Sequence, residues 1–320
     1  MLTPRTTFIL TLAALVTVAQ TNAAAQNVDT DGRAVERFEF ESYRDIASLA
    51  ETLDYTEAAW SAGIREVPRL FLTDVPPRWR DQTSQEVSVQ VKKQLFFRLL
   101  GPLALRANEL ILQDRARATP LVSRIATGAA IDPDEREWLT RLAVRYKVIA
   151  NDGAPLSPGA LDELLNHRVH AVPISLVLSQ AAEESGWGTS RFAAEGNALF
   201  GQWSWDANAI RPQQQRAGLG DYGIAAFDTP LESIAAYMLN LNTHAAYEEL
   251  RERRAEMFHD GVPVSGSQLA ETLTRYSERG SEYVDSLHTI MRVNHLAPAD
   301  DAYLGDGPII LLVPIGPGAE

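Results

Sequence analysis

The chain has 320 residues, 45% hydrophobic and 22% charged, with a formal net charge of −13 and no cysteine. An acidic balance without a long basic run argues against nucleic acid as a partner. The missing thiols exclude disulfides, thiol catalysis and cysteine metal sites, so an apolar core must hold the fold.

Residues 1–25 carry one early cation, Arg5, an apolar run from Phe8 to Ala19 and the small-residue exit Ala23-Ala24-Ala25. That layout is expected of a secretory signal peptide cleaved near Ala25. The apolar run is short of the roughly 20 residues a membrane span needs, so no stable span is expected after cleavage. Residues 26–66 read as a polar, flexible lead-in followed by a first helix. Three prolines between Val67 and Arg80 predict an extended segment lying on the surface.

From Ser84 to about Ala118, Val87, Val91, Leu95, Phe96, Leu99, Leu103, Ala107 and Leu110 recur at three- and four-residue steps. This is helical periodicity, with a kink expected at Gly101-Pro102. Asp132-Pro133-Asp134-Glu135 has the signature of a helix start, and residues 67–150 form an N-terminal helical region. "NDGAPLSPGA" (151–160) is a candidate linker. Pro173 opens a helix that runs into Glu184. Thr229-Pro230-Leu231-Glu232 and Ser265 head two more helices, and Ser281 a last one to Asn294. Between Asn197 and Asp228 helical pattern is weak, and "ALFGQW" and "YGIAAF" are the only strand candidates. Residues 297–320 are an apolar tail cut by prolines. The fold class expected is mainly α (α+β), with one small β lobe and the N-terminal helical region.

The stretch "LSQAAEESGWGTSRFAAEGNALFGQWSW" (178–205) concentrates the chemistry. Gln180 and Glu184 share one helix face, and Glu183 is rotated about 100° away. The helix C-terminus disfavours negative charge at Glu184, and apolar neighbours such as Trp187 and Phe200 act in the same direction. A carboxyl held protonated in this way can deliver a proton to a leaving glycosidic oxygen. An ordinary solvated helix end is the alternative at this point. Trp187, Trp203 and Trp205 offer flat apolar faces that suit sugar rings as well as a core.

The same stretch resembles the signature of the bacterial glucosaminidase domain, glycoside hydrolase family 73. Members have an Ala-rich helix ending in Glu-Ser-Gly-Trp-Gly and then an Asn-(x)-Leu-Phe-Gly stretch. "FDTPLESIAAYMLNLNTHAAY" (227–247) and "LAETLTRYSERGSEYVDSLHTIM" (269–291) resemble later segments of the family. "VPRLFLTDVPPRW" and "KKQLFFRLLGPLALRANELIL" resemble its Bax-type subgroup.

The resemblance implies a lysozyme-like helical lobe facing a small β lobe within residues 151–296. It makes Glu184 the general acid, Tyr276 a substrate-orienting tyrosine, and Asn197 and Phe200 part of the cleft lining. Gln180, Trp187, Trp203, Trp205 and Asp206 complete the expected substrate-binding set. The expected partner is the glycan strand of peptidoglycan, with no cofactor and no metal. Together the leader and the subgroup imply a periplasmic location.

One departure stands out. Many relatives carry a second glutamate in the β lobe, yet residues 201–230 contain none. Asp221, in "GLGDYGIAAF", is nearest the expected place and is the candidate base, with Asp206 behind it. Either an aspartate holds the attacking water, or the substrate's own 2-acetamido oxygen attacks. A lytic transglycosylase and a non-catalytic wall-binding protein are the rival functions.

Overall fold

The computed structural model of the protein describes residues 29, 32–151, 154–215 and 220–316; the expected leader lies outside the described residues. The first elements are β1 (Val35–Phe40), α1 (Tyr43–Thr52), α2 (Glu57–Ser61), β2 (Glu66–Val67) and β3 (Leu70–Leu72). Side chains start both helices: Asp45 accepts the Ser42 backbone N–H at 2.8 Å, and Thr56 accepts that of Ala59 at 3.1 Å. After a π-helical turn at Trp79–Thr83 and α3 (Ser84–Glu86) comes α4 (Val89–Ala126).

Helix α4 runs for 38 residues, with Pro102 and Pro120 inside it. The helix runs without interruption through Gly101-Pro102, where the kink is expected. Leu100, Gly101, Pro102, Leu103, Ala104 and Leu105 are all buried, so packing offsets the hydrogen bond that proline removes. Helix α5 (Pro133–Arg145) begins at the Asp132 capping box, with Pro133 in its first turn.

The second half contains α6 (Pro158–Glu163), a π turn at Leu164–Arg168, α7 (Ile174–Ser185) and α8 (Arg191–Gly196). An antiparallel pair, β4 (Trp203–Ser204) and β5 (Gly223–Ile224), forms the small β lobe. Then follow α9 (Pro230–Thr243), α10 (Glu248–His259), α11 (Gly266–Ala270) and α12 (Ser281–Val293). The last strands are β6 (Tyr303–Leu304) and β7 (Ile309–Pro314). The protein is mainly α with small sheets, as its helical patterning predicts.

Both ends of the chain depart from expectation. The lead-in is not featureless, and the tail is not an appendage. Strand β7 lies between β1 and β3, parallel to both, with Val35 opposite Ile309 and Leu70 opposite Ile310. The segment expected on the surface is equally displaced inward: Val67, Leu70, Phe71, Leu72 and Val75 are buried. A strand covered on both faces reads as a continuous apolar run, which is what "IILLVP" is. Its partners lie more than 200 residues away, so no local signal announces them. Residues Phe40 and Leu312 therefore belong to the same hydrophobic cluster as the centre of the chain.

Helix α7 occupies that centre. Ile174 through Ala182 are all buried, against α4, α11 and α12. A helix apolar on every side is a core helix. Each fully buried leucine, such as Leu176, contributes roughly 2 kcal/mol of apolar transfer. The Asp300 carboxylate fixes the start of α7, accepting from the Ser175 N–H at 2.8 Å, the Ser175 hydroxyl at 2.8 Å and the Gly266 N–H at 3.0 Å. The core thus holds α7 rigidly up to its final turn, where Glu183 and Glu184 stand.

Candidate active site

Helix α7 ends at Gly186, whose left-handed backbone (φ 57°, ψ 47°) suits a residue without Cβ. The Ser185 hydroxyl donates to the Ala181 carbonyl at 2.6 Å and accepts the Gly188 N–H at 2.8 Å, closing the turn. Trp187 is also left-handed, at φ 63°, which is unusual for a bulky residue. Its conformation is held from the N-terminal region. The Trp79 indole N–H donates to the Trp187 carbonyl at 2.9 Å. Gly188 is left-handed too, at φ 75°, and a Cβ on it would stand 3.2 Å from the Trp79 indole nitrogen, so a larger residue there would be strained.

The Trp187 ring meets Phe96 and Phe97 edge-to-face at 5.6 and 5.4 Å, and the Lys93 ammonium lies 4.8 Å from its centroid. Trp187 is therefore anchored on α4, and it stays half-buried, with part of its surface open.

Glu184 is half-buried at the last full turn of α7. Burial pushes its carboxyl above the usual glutamate range, Tyr283 opposes this by hydrogen-bonding to it, Glu183 adds to the rise, and Arg279 subtracts. Four tyrosines feel its charge: Tyr237 on α9, Tyr247 beyond that helix, Tyr276, and Tyr283 on α12. Desolvation, reinforced by the carboxylate, raises the pKa of all four, so each keeps its proton near neutrality. Tyr276 stacks on Tyr283 at 5.3 Å and 7°, and tilts against Tyr247 at 5.7 Å. The result is one acid ringed by neutral phenols, half in and half out of solvent.

Glu183 does not sit free in water. It pairs with Arg279 and accepts from the Ser286 hydroxyl at 2.8 Å. Gln180 is 0% exposed, donates to the Tyr283 hydroxyl at 2.9 Å and accepts from that of Tyr237. Direct substrate contact by Gln180 is thus corrected: nothing outside the core can reach it.

Asn197 and Phe200 are likewise inside, at 7% and 3% exposure. Asn197 accepts the Val75 N–H at 2.8 Å and donates to the carbonyls of Phe227 and Asp228, tying three segments together. Phe200 stacks on Tyr237 at 3.8 Å. Both support the lobe from behind and do not line an open surface.

Trp203 and Trp205 are 44% and 62% exposed, on and beside β4, with Trp203 tilted against Tyr222 at 4.9 Å. Asp206 is exposed beside them and accepts from the Ser204 hydroxyl at 2.8 Å. Asp221 has a 79% exposed side chain and pairs with Arg211 at 3.2 Å. Neither aspartate is among the charges that shift Glu184, and the only other carboxylate that does so is Glu183. The expectation of Asp221 as base therefore finds no electrostatic coupling to the acid. Among the described residues no three His, Asp or Glu side chains are grouped as metal ligands would be.

Comparison with known proteins follows the same residues. Residues 164–296 match the sequence profile of the Glucosaminidase family, described as mannosyl-glycoprotein endo-beta-N-acetylglucosaminidase. Over 203 residues the chain is 32% identical to Protein bax of Escherichia coli (strain K12), covering 63% of this chain and 70% of that protein. The chain belongs to the glucosaminidase family.

No solved structure matches it. The glucosaminidase match holds α7, the tyrosine ring and the β4–β5 lobe, whereas Trp79, Phe96 and Val75 lie before it. Membership places the chain among glycoside hydrolases, with a glycan as the substrate class. No helix among the described residues is long and apolar enough to cross a membrane.

The sequence pattern points to Tyr276 as a site residue but not to Tyr237, Tyr247, Tyr283 or Arg279. Tyr237 and Tyr283 are 0% and 1% exposed, and by residue type alone each reads as core. Their signal was the shared family segments at 227–247 and 269–291, where each tyrosine has its place.

Proposed function

We propose that the protein is an exported peptidoglycan hydrolase that cuts the glycan strand after N-acetylglucosamine, with Glu184 as general acid. The observation that carries this reading is the half-buried carboxyl of Glu184, raised by desolvation and bordered by four neutral tyrosines. A carboxyl raised in this manner keeps its proton until a leaving oxygen takes it. Trp203 and Trp205 supply exposed flat faces on which sugar rings can stack, with Asp206 at their edge. The leader-like residues 1–25 and the Bax-type relative support a periplasmic location.

The absence of a coupled aspartate favours substrate assistance. In that step the acetamido carbonyl oxygen of the substrate bonds to C1, and the bond from C1 to the bridging oxygen breaks. The bond's electron pair stays on the bridging oxygen, which takes the Glu184 proton. Water then adds to C1 and opens the ring, giving its proton back to the Glu184 carboxylate. No second protein carboxylate is needed.

The experiment is mass spectrometry of purified wall material digested by the full-length protein. Products ending in reducing N-acetylglucosamine are expected. Anhydro-muramic ends would instead identify a lytic transglycosylase, and binding without any released product would identify a wall-binding protein.

A further inference from the structure

Gln180 lies in the fully buried second turn of α7, too deep to meet a glycan, yet its amide is polar at both ends. Burying an amide costs free energy unless each end finds a partner, and here both do. Tyr237 donates its hydroxyl hydrogen to the Gln180 carbonyl oxygen, and the Gln180 NH2 group donates to the Tyr283 oxygen at 2.9 Å. Glu184 lies one helical turn beyond Gln180 on the same face of α7, and hydrogen bonding with Tyr283 is what most opposes the rise of its pKa. The direction of the chain is fixed by hydrogen-bond arithmetic. Once Glu184 is ionised its carboxylate only accepts, so the Tyr283 hydrogen then points at it, and the group facing the Tyr283 oxygen must be an N–H. The amide's other end, its oxygen, then takes the Tyr237 hydrogen.

We infer that Gln180 is a positioning residue that acts on Glu184 through Tyr283. By donating to the phenol oxygen it polarises the O–H and makes it a stronger donor to the carboxylate. It also pins the phenol hydrogen toward Glu184. The carboxylate exists only after the proton has left, so the relay stabilises the state that follows proton delivery. Tyr237 orients the amide and is itself held flat against Phe200 at 3.8 Å. This chain links the β-lobe edge to the acid without touching substrate.

Other groups also face Glu184: Tyr247 and Tyr276 beside it, Glu183 on its own helix, and Arg279 before α12. Two of them touch the relay residue Tyr283: Tyr276 stacks on its ring and Arg279 lies over it at 5.4 Å. None of these groups is hydrogen-bonded to Gln180.

The role assigned to the relay rests on the reading of Glu184 as the acid, but its test does not need activity. Full-length protein labelled with 13C at the glutamate carboxyl carbon is titrated by NMR, and the Glu184 resonance is assigned by its loss in Glu184→Gln. Gln180→Met preserves side-chain length and removes both donor and acceptor. The expected result is a Glu184 midpoint moved to higher pH, a threefold to tenfold fall in acid dissociation constant of about the size one hydrogen bond provides. Tyr283→Phe moves it in the same direction by at least as much, and Tyr237→Phe by less. If Gln180→Met does not fold, Tyr237→Phe, which loses one oxygen atom, gives the deciding midpoint. A midpoint unchanged from wild type in the folded variant overturns the relay, whether or not the protein cuts wall. A shifted midpoint without any cleavage activity upholds the relay and removes only the catalytic reading. Where activity is present, Gln180→Met lowers kcat and leaves KM unchanged, as expected of a group that touches no sugar.

Discussion

Glu183 and Glu184 are neighbours on α7 with separate surroundings: Glu183 is fastened to Arg279 and Ser286, whereas Glu184 stands against the tyrosines, with Tyr283 the one that most opposes the rise of its pKa. The 100° step between adjacent helical residues makes this separation possible. One carboxylate is consumed in structure and the other is left facing the tyrosine ring. The negative charge of Glu183 nevertheless reaches Glu184 and adds to the rise that burial causes.

Removing that charge therefore lowers the Glu184 pKa. The general acid must be protonated, so activity is lost as pH rises through that pKa. Glu183→Gln is expected to keep the enzyme active while moving the alkaline limb of kcat/KM to lower pH. The freed Arg279 guanidinium acts in the same direction. A pH-rate profile of the variant checks this: an unshifted limb would remove the coupling, and abolished activity would assign the acid to Glu183 instead.

The exposed tryptophans are expected to hold substrate and not to do chemistry. Trp203→Ala and Trp205→Ala should each raise KM several-fold, in keeping with about 1 kcal/mol per stacked ring, with kcat little changed. Kinetics on soluble glycan fragments separate the two parameters.

A part-buried ion pair connects the early strands to α4. Arg69, 2% exposed, donates to both oxygens of Glu109 at 2.9 and 2.7 Å. The Arg69 guanidinium, with help from Arg106, holds the Glu109 carboxyl at about 2. A depressed pKa stabilises the fold above the unfolded value, and that contribution disappears as pH falls toward 2. Glu109→Gln should cost about 3 kcal/mol at neutral pH, because it strands a buried cation. It should also flatten the acid side of the stability curve. Denaturant melts at several pH values test both.

Gly266 is expected to resist even alanine. A Cβ there would lie 2.1 Å from the Ser175 hydroxyl and 2.7 Å from the Leu176 backbone nitrogen. Backbone cannot give way as a flexible side-chain tip can, so Gly266→Ala should destabilise by about 2–3 kcal/mol. Gly280→Ala would meet nothing within 4 Å, although its φ of 57° strains any Cβ-bearing residue. Its loss should be smaller, and thermal melts of the two variants compare them directly.

Helices were readable because their information is local. The Asp132 capping box, the proline before Ile174 and the glycine after Ser185 all lie within a few residues of the ends they set. Glu184 was readable for the same reason, from a helix end followed by an Ser-Gly-Trp-Gly turn. The sheet was not. Parallel pairing of β7 with β1 and β3 joins positions across most of the chain, and neither partner carries a turn signal. For Gln180, Asn197 and Phe200 the sequence marks the residue but not its orientation, since all three are buried. Periodicity gives a face of α7, yet α7 is buried on every side, so the face shared with Glu184 opens to no cleft at Gln180. The tyrosines were hidden by the opposite ambiguity, since a buried tyrosine in a helix looks like packing until its hydroxyl partner is known.

The most direct measurement compares wild-type protein and Glu184→Gln for release of soluble fragments from purified peptidoglycan, with binding to the same material measured by co-sedimentation. Glutamine keeps the shape and still accepts from Tyr283, but it has no acidic proton to give. The expected result is a loss of at least about a hundredfold in release with binding intact. Release by the variant at the wild-type rate would contradict the assignment of the proton to Glu184.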